Sequence, residues 1–187
     1  MIETGVLQGQ AVRLRPLEET DVPLLTRWYG NPDIRHWLHL SEDSDDMLTE
    51  DAHRERYERL RADPARALWR IDTLDGQPIG NLTLFDINRV HGRAELGVMI
   101  GEKDRWARGY GTDAIRLALR YAFDHLGLRK VYLITDEDNE RGIRCYEKCG
   151  FVREGLLRAH RLRRARPVNM LTMGALREDF EAPERRG

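Results

Sequence analysis

The chain has 187 residues, of which 34% are charged and 41% hydrophobic, and its net charge is −1. That length suits one domain over residues 1–187, and the balanced charge gives no global attraction to nucleic acid or an anionic membrane. No apolar run approaches the ~18 residues that a membrane-spanning helix needs, so no membrane partner is expected.

Val12-Arg13-Leu14-Arg15-Pro16-Leu17 alternates apolar and polar residues, as a half-buried strand does. Thr20 or Asp21 can cap a helix carrying Val22, Leu24, Leu25 and Trp28, with Pro23 in its first turn and Gly30-Asn31-Pro32 as its stop. A short helical or irregular piece, 34–40, leads into segment 41–51, which carries six carboxylates and no Lys or Arg. Thr49 or Ser44 starts a charged helix through Leu60. Residues 67–73 and 79–87 read as strands joined by the hairpin signal Asp75-Gly76, and 94–100 as the next strand. A helix over 110–126 follows, then strand 130–135. Asn139 opens a helix that Gly150 closes. Residues 151–157 and 168–176 are the last strands, joined by an arginine-rich bend. The order β-α-α-β-β-β-α-β-α-β-β implies one α/β sheet mixing antiparallel hairpins with crossover helices.

Other features divide between two readings. Cys145 and Cys149, four apart on a helix, share a face without the further ligands of a metal site, and read as reduced thiols. The six histidines are scattered, so no metal is expected. Residues 1–5 carry neither a basic region nor an apolar signal core, which favours a cytoplasmic location. The arginines at 158–166 form either a solvated hairpin tip or a site for RNA or a carboxylate. Segment 41–51 is either a solvated loop or an attractor for a cationic ligand. Trp28 and Trp37 are core residues or pocket walls.

The strongest signal is Trp106-Ala107-Arg108-Gly109-Tyr110-Gly111-Thr112, between the strand ending at Ile100 and an amphipathic helix. The first N–H groups of a helix lack internal partners and sit at the positive end of its dipole. Glycines at 109 and 111 open those N–H groups to a phosphate or pyrophosphate, and Arg108 adds a charge.

This turn resembles the acetyl-CoA pyrophosphate loop of the GCN5-related N-acetyltransferase superfamily, with Trp106 in place of the usual Gln or Arg. Asn139, followed by Tyr146-Glu147-Lys148-Cys149-Gly150-Phe151, is similar to a second family pattern. The Trp106 variant, with Leu14-Arg15-Pro16-Leu17 and Trp28, resembles the ribosomal-protein N-terminal subgroup. Ile87-Asn88-Arg89-Val90-His91-Gly92-Arg93-Ala94-Glu95 resembles a run in the spermidine/spermine branch, which places polyamine carboxylates near segment 41–51.

The resemblance extends over a core of about 10–180 and implies a GNAT fold: a mixed, mostly antiparallel sheet of six to seven strands, helices on both faces, and a central pair splayed near Ile100 and Thr135. It implies acetyl-CoA as co-substrate, held by the backbone of Val98, Met99 and Ile100, by Trp106, Ala107, Arg108, Gly109, Tyr110, Gly111 and Thr112, and by Asn139 and Tyr146. The expected chemistry is direct acetyl transfer to a primary amine of a small molecule or peptide in a ternary complex. Glu95 is the candidate base, because an amine with pKa near ~10 must lose a proton before it attacks. Its alternative is a structural ion pair with Arg93 or an arginine of a neighbouring strand. Tyr146 is the candidate acid for the leaving thiolate. A non-catalytic acyl-CoA-binding module is the competing reading, and a homodimer or larger homo-oligomer is left open.

Overall fold

The computed structural model describes residues 4–38 and 49–181. Most of segment 41–51 therefore lies outside the described residues. Among the described residues, eight strands form one sheet in the order β1-β2-β3-β4-β5-β6-β8-β7. They are β1 (Leu7–Gln8), β2 (Val12–Pro16), β3 (Ala67–Thr73), β4 (Pro78–Asn88), β5 (Arg93–Ile100), β6 (Lys130–Asp136), β7 (Val152–Arg163) and β8 (Arg166–Leu176). This is more than the six or seven expected, and the two-residue β1 carries no sequence signal of its own. Every neighbouring pair is antiparallel except β5 and β6, which run parallel.

The helices are α1 (Val22–Tyr29), α2 (Pro32–Arg35), α3 (Glu50–Ala62), α4 (Tyr110–Arg120), α5 (Glu140–Glu147) and α6 (Arg177–Glu181). Each face of the sheet is covered by its own cluster. Ile115, Leu119 and Phe123 pack with Leu14, Trp69, Leu82 and Leu84 on one face. Leu25, Trp28, Ile34 and Met99 pack together on the other. Burying a side chain of this size contributes about 1.5–3 kcal/mol, so these stripes dominate the fold's stability.

Local chemistry sets the ends of the helices. The Thr49 hydroxyl accepts the Ala52 N–H, so Thr49 caps α3. Asp21 does not cap α1 with its side chain. Its buried carboxylate instead accepts from Arg15, Arg70 and the Glu18 N–H. The helix expected over 110–126 is α-helical to Arg120 and finishes as a π turn over Tyr121–His125.

The β7–β8 hairpin is longer than its sequence suggests. Its turn places Arg164 and Ala165 at φ 51° and 58°, without the Gly or Asn that normally marks a turn with left-handed residues.

The site depends on how briefly β5 meets β6. They pair only at Arg93↔Lys130, Ala94↔Val131 and Glu95↔Tyr132. Beyond Glu95 the strands diverge, as the resemblance implied. Residues 96–100 stay on β4, and residues 133–136 stay on β8.

Candidate active site

Strand alternation decides which groups face the gap. The Gly101 N–H bonds Ile79 on β4, whereas the Ile100 carbonyl accepts from Trp106 Nε1 at 2.8 Å on the opposite side. Backbone groups of successive strand residues point in opposite directions. Val98 and Ile100 therefore turn their backbone polar groups toward the gap. Met99 turns its own toward β4, which narrows the expected trio to two.

At the end of the gap, Gly109 stands at the N-cap of α4 with φ 86°. Its carbonyl accepts the Asp113 N–H, leaving the N–H groups of Tyr110, Gly111 and Thr112 without helical partners. The exposed Arg108 lies beside them. One acidic residue, Asp113, sits in this first turn, where it would repel an anion. Its carboxylate points away and accepts the Ala11 and Val12 N–H groups at 2.7 and 3.0 Å. The cradle is thus electrostatically clear, and it fits a pyrophosphate.

Trp106 is structural as well as adjacent. Besides bonding the Ile100 carbonyl, its ring carries the Arg141 guanidinium 3.7 Å above its centroid. Arg141 has no carboxylate partner among the described residues, and burial lowers its pKa. It is a fixed cation beside the cradle that sequence reading missed. Nothing in the sequence marks it except its place two residues after Asn139.

Asn139 caps α5, its Oδ1 accepting the Gly142 N–H at 3.1 Å. Its Nδ2 donates to the Thr135 hydroxyl at 3.0 Å. The Thr135 hydroxyl lowers the Tyr146 pKa slightly, against a larger effect of burial. Burial holds the Tyr146 phenol above its ordinary pKa, so it stays protonated.

Glu95 faces the other side of the sheet, opposite Phe85 and beside Tyr132. Gly97, two residues on, leaves room for Phe85. A Cβ there would lie 2.6 Å from Phe85 Cε2. Burial raises the Glu95 pKa, and a hydrogen bond from Tyr132 partly offsets this. Arg93 pairs with Asp86 at 2.8 Å and donates to the Tyr132 hydroxyl at 3.1 Å, so it is no direct ion-pair partner of Glu95.

One cavity of about 840 Å³ joins these groups. Its walls include the 106–112 turn, Val98, Asn139 and Tyr146 on one side, and Glu95, Phe85, Asp86, Tyr29, Trp37 and Arg56 on the other. Every sequence-derived site residue lies on this cavity. Trp37 is a wall, whereas Trp28 is buried core.

The arginine-rich hairpin is not only a solvated tip. Arg161 and Arg163 both donate to the buried Asp136, at 2.9 and 3.2 Å. Arg161 also donates to the Leu38 and His36 carbonyls at 2.9 and 3.3 Å, tying the Trp37 segment to the end of β6. Among the described residues no group of three or more His, Cys, Asp or Glu is placed to hold a metal ion, and no helix is long and apolar enough to cross a membrane.

A family model of the acetyltransferase (GNAT) domain matches residues 11–152. A spermidine N(1)-acetyltransferase of Escherichia coli K12 is 34% identical over 150 residues, covering 80% of this chain and 77% of the relative. That of Vibrio cholerae is 31% identical over 145 residues, covering 77% and 80%. A crystal structure of spermidine N-acetyltransferase from Vibrio cholerae, in complex with CoA and spermine, superposes with a TM-score of 0.82 at 27% identity. It covers 90% of this chain and 97% of that one. A sheet opened beyond Glu95, an uncapped helix end at its mouth and these matches together make the chain an acetyl-CoA-dependent N-acetyltransferase, and it belongs to the GNAT acetyltransferase family.

Proposed function

We propose that the acceptor is a small cationic amine of the polyamine class, acetylated by direct attack within one ternary complex. The observation that carries this reading is the single cavity holding Glu95 and Asp86 on its acceptor wall and the anion cradle at its other end. The relatives named for spermidine point the same way.

Acetyl-CoA supplies the thioester. The N–H groups of residues 110–112, with Arg108 and Arg141 beside them, hold its pyrophosphate. The gap-facing backbone of Val98 and Ile100 aligns the arm that enters between β5 and β6. A backbone N–H aimed at the thioester oxygen contributes a few kcal/mol as charge develops there. Glu95, desolvated and therefore more basic than an ordinary carboxylate, takes the proton from the ammonium. Tyr146 gives one to the departing thiolate. Burial keeps the phenol protonated, so its proton is in place as the thiolate departs.

A second reading rests on Arg56. It stands over the Tyr29 ring on the acceptor wall and has no carboxylate partner among the described residues. A guanidinium there suits an acceptor bearing a carboxylate, such as an amino acid or a peptide. Thiol release from acetyl-CoA, measured with spermidine, spermine, amino acids and Ala- or Ser-starting peptides, separates the two. Turnover with polyamines alone supports the first reading, and turnover with amino acids or peptides alone overturns it.

A further inference from the structure

Tyr146 is not the only reactive side chain of α5 that reaches the cleft. Cys145 lines the same cavity beside Gly111 and Thr112. Its Sγ lies 3.3 Å from Thr112 Oγ1, and a Cβ added at Gly111 would lie 3.5 Å from it. The thiol therefore sits directly against the turn whose N–H groups form the anion cradle. Cys149, one helical turn on, is buried and donates to the Thr112 carbonyl at 3.5 Å. The acetyl-transfer chemistry uses neither sulfur.

We propose that Cys145 is a thiol-modification site in the cofactor cleft, one that takes low-molecular-weight disulfides and that bound acetyl-CoA shields. Three observations place it there: the contact with Thr112, the opening onto the cavity, and the second thiol behind it.

The surroundings favour a thiolate at Cys145. The neighbouring Cys149 thiol is the largest influence lowering its pKa, with the Thr112 hydroxyl and the nearby Lys148 and Arg116 acting in the same direction. The same contact pushes the Cys149 thiol up, so the pair loses its first proton at Cys145. A partly exposed thiol whose pKa is lowered holds more thiolate, and the thiolate is the attacker in exchange.

The reaction balances without another oxidant. The Cys145 thiolate attacks one sulfur of R–S–S–R, a new S–S bond forms, the old one breaks, and RS⁻ leaves. The group left on Cys145 fills the space beside Gly111 and Thr112, so the adduct and the cofactor's pyrophosphate exclude each other. This holds whichever amine is the acceptor, and whatever Glu95 and Tyr146 do.

The test uses the whole reduced protein and two probes, oxidised glutathione and an aromatic disulfide with a coloured leaving thiolate. Peptide mapping by mass spectrometry assigns the adduct. The expected result is an adduct on Cys145, loss of acetyl-CoA binding, and recovery with dithiothreitol. With acetyl-CoA at about 100 Kd, mass action lowers the open fraction, and hence the labelling rate, about 100-fold. Cys145→Ser keeps the hydrogen bond to Thr112 and is expected to turn over normally and resist both disulfides. Labelling first at Cys149, or a Cys145 rate indifferent to acetyl-CoA, overturns the proposal. Both readouts come from the unmutated protein, so they stand even if the serine variant folds poorly.

Discussion

The Asn139 side-chain amide donates to the Thr135 hydroxyl at 3.0 Å while its oxygen caps α5. Asn139 thereby ties the first turn of the helix that carries Tyr146 to the open end of β6. The helix bearing the phenol is fixed to the strand whose divergence from β5 opens the cleft.

If Tyr146 protonates the leaving thiolate, Tyr146→Phe lowers kcat by about 10²–10⁴-fold while leaving the acetyl-CoA Kd nearly unchanged. Steady-state kinetics paired with calorimetric binding checks this. Unaltered turnover removes Tyr146 from the chemistry.

Glu95 predicts a pH dependence. A base works when ionised, so the rate rises with pH through its pKa. Burial raises that pKa, and the acidic limb of kcat/KM is expected above the ordinary carboxylate range. Tyr132→Phe removes a hydrogen bond that favours the ionised form, so it moves the limb further up. Glu95→Gln abolishes the limb and lowers the rate. A limb unmoved in Tyr132→Phe counts against Glu95.

Gly109 carries φ 86°, where an L side chain costs about 1–2 kcal/mol. Gly109→Ala is expected to lower stability by that amount in urea unfolding and to weaken acetyl-CoA binding, because relieving the strain moves the first N–H groups of α4. Wild-type affinity in this variant would show that the cradle tolerates another backbone geometry.

Arg161 is 14% exposed and Asp136 1% exposed, and the pair sits behind Trp37. Arg161→Met leaves Asp136 with Arg163 and strips the donor from two carbonyls, at a cost of about 1–3 kcal/mol. Because Trp37 walls the acceptor side, KM for the amine is expected to rise while KM for acetyl-CoA holds. Equal changes in both would make Arg161 a purely structural residue.

Much of this site was legible in the sequence because it is local. The glycine turn, the Asn139 cap and the helix bearing Tyr146 each occupy a few consecutive residues whose geometry follows from their types. What was not legible depends on pairing across the chain. Tyr132 reaches Glu95 only because β6 lies beside β5 for three residue pairs. Arg161 reaches Asp136 only because a turn without Gly or Asn extends the last hairpin over that carboxylate. Alternation could not assign Val98, Met99 and Ile100 to their sides until the Trp106 bond fixed the phase. Neither reading of the arginine bend, a solvated tip or a site for RNA or a carboxylate, describes Arg161 and Arg163, because Asp136 and Asp138 take up their donors.

The two amide bonds from Ala11 and Val12 hold the Asp113 carboxylate off the anion cradle. The strand ahead of the first long helix is thus a counterweight to the distant cofactor. Proteolytic trimming that removed Ala11 and loosened Val12 would free a negative charge one turn into α4, facing the phosphates. The amino end of the chain would then govern cofactor affinity without touching the cofactor.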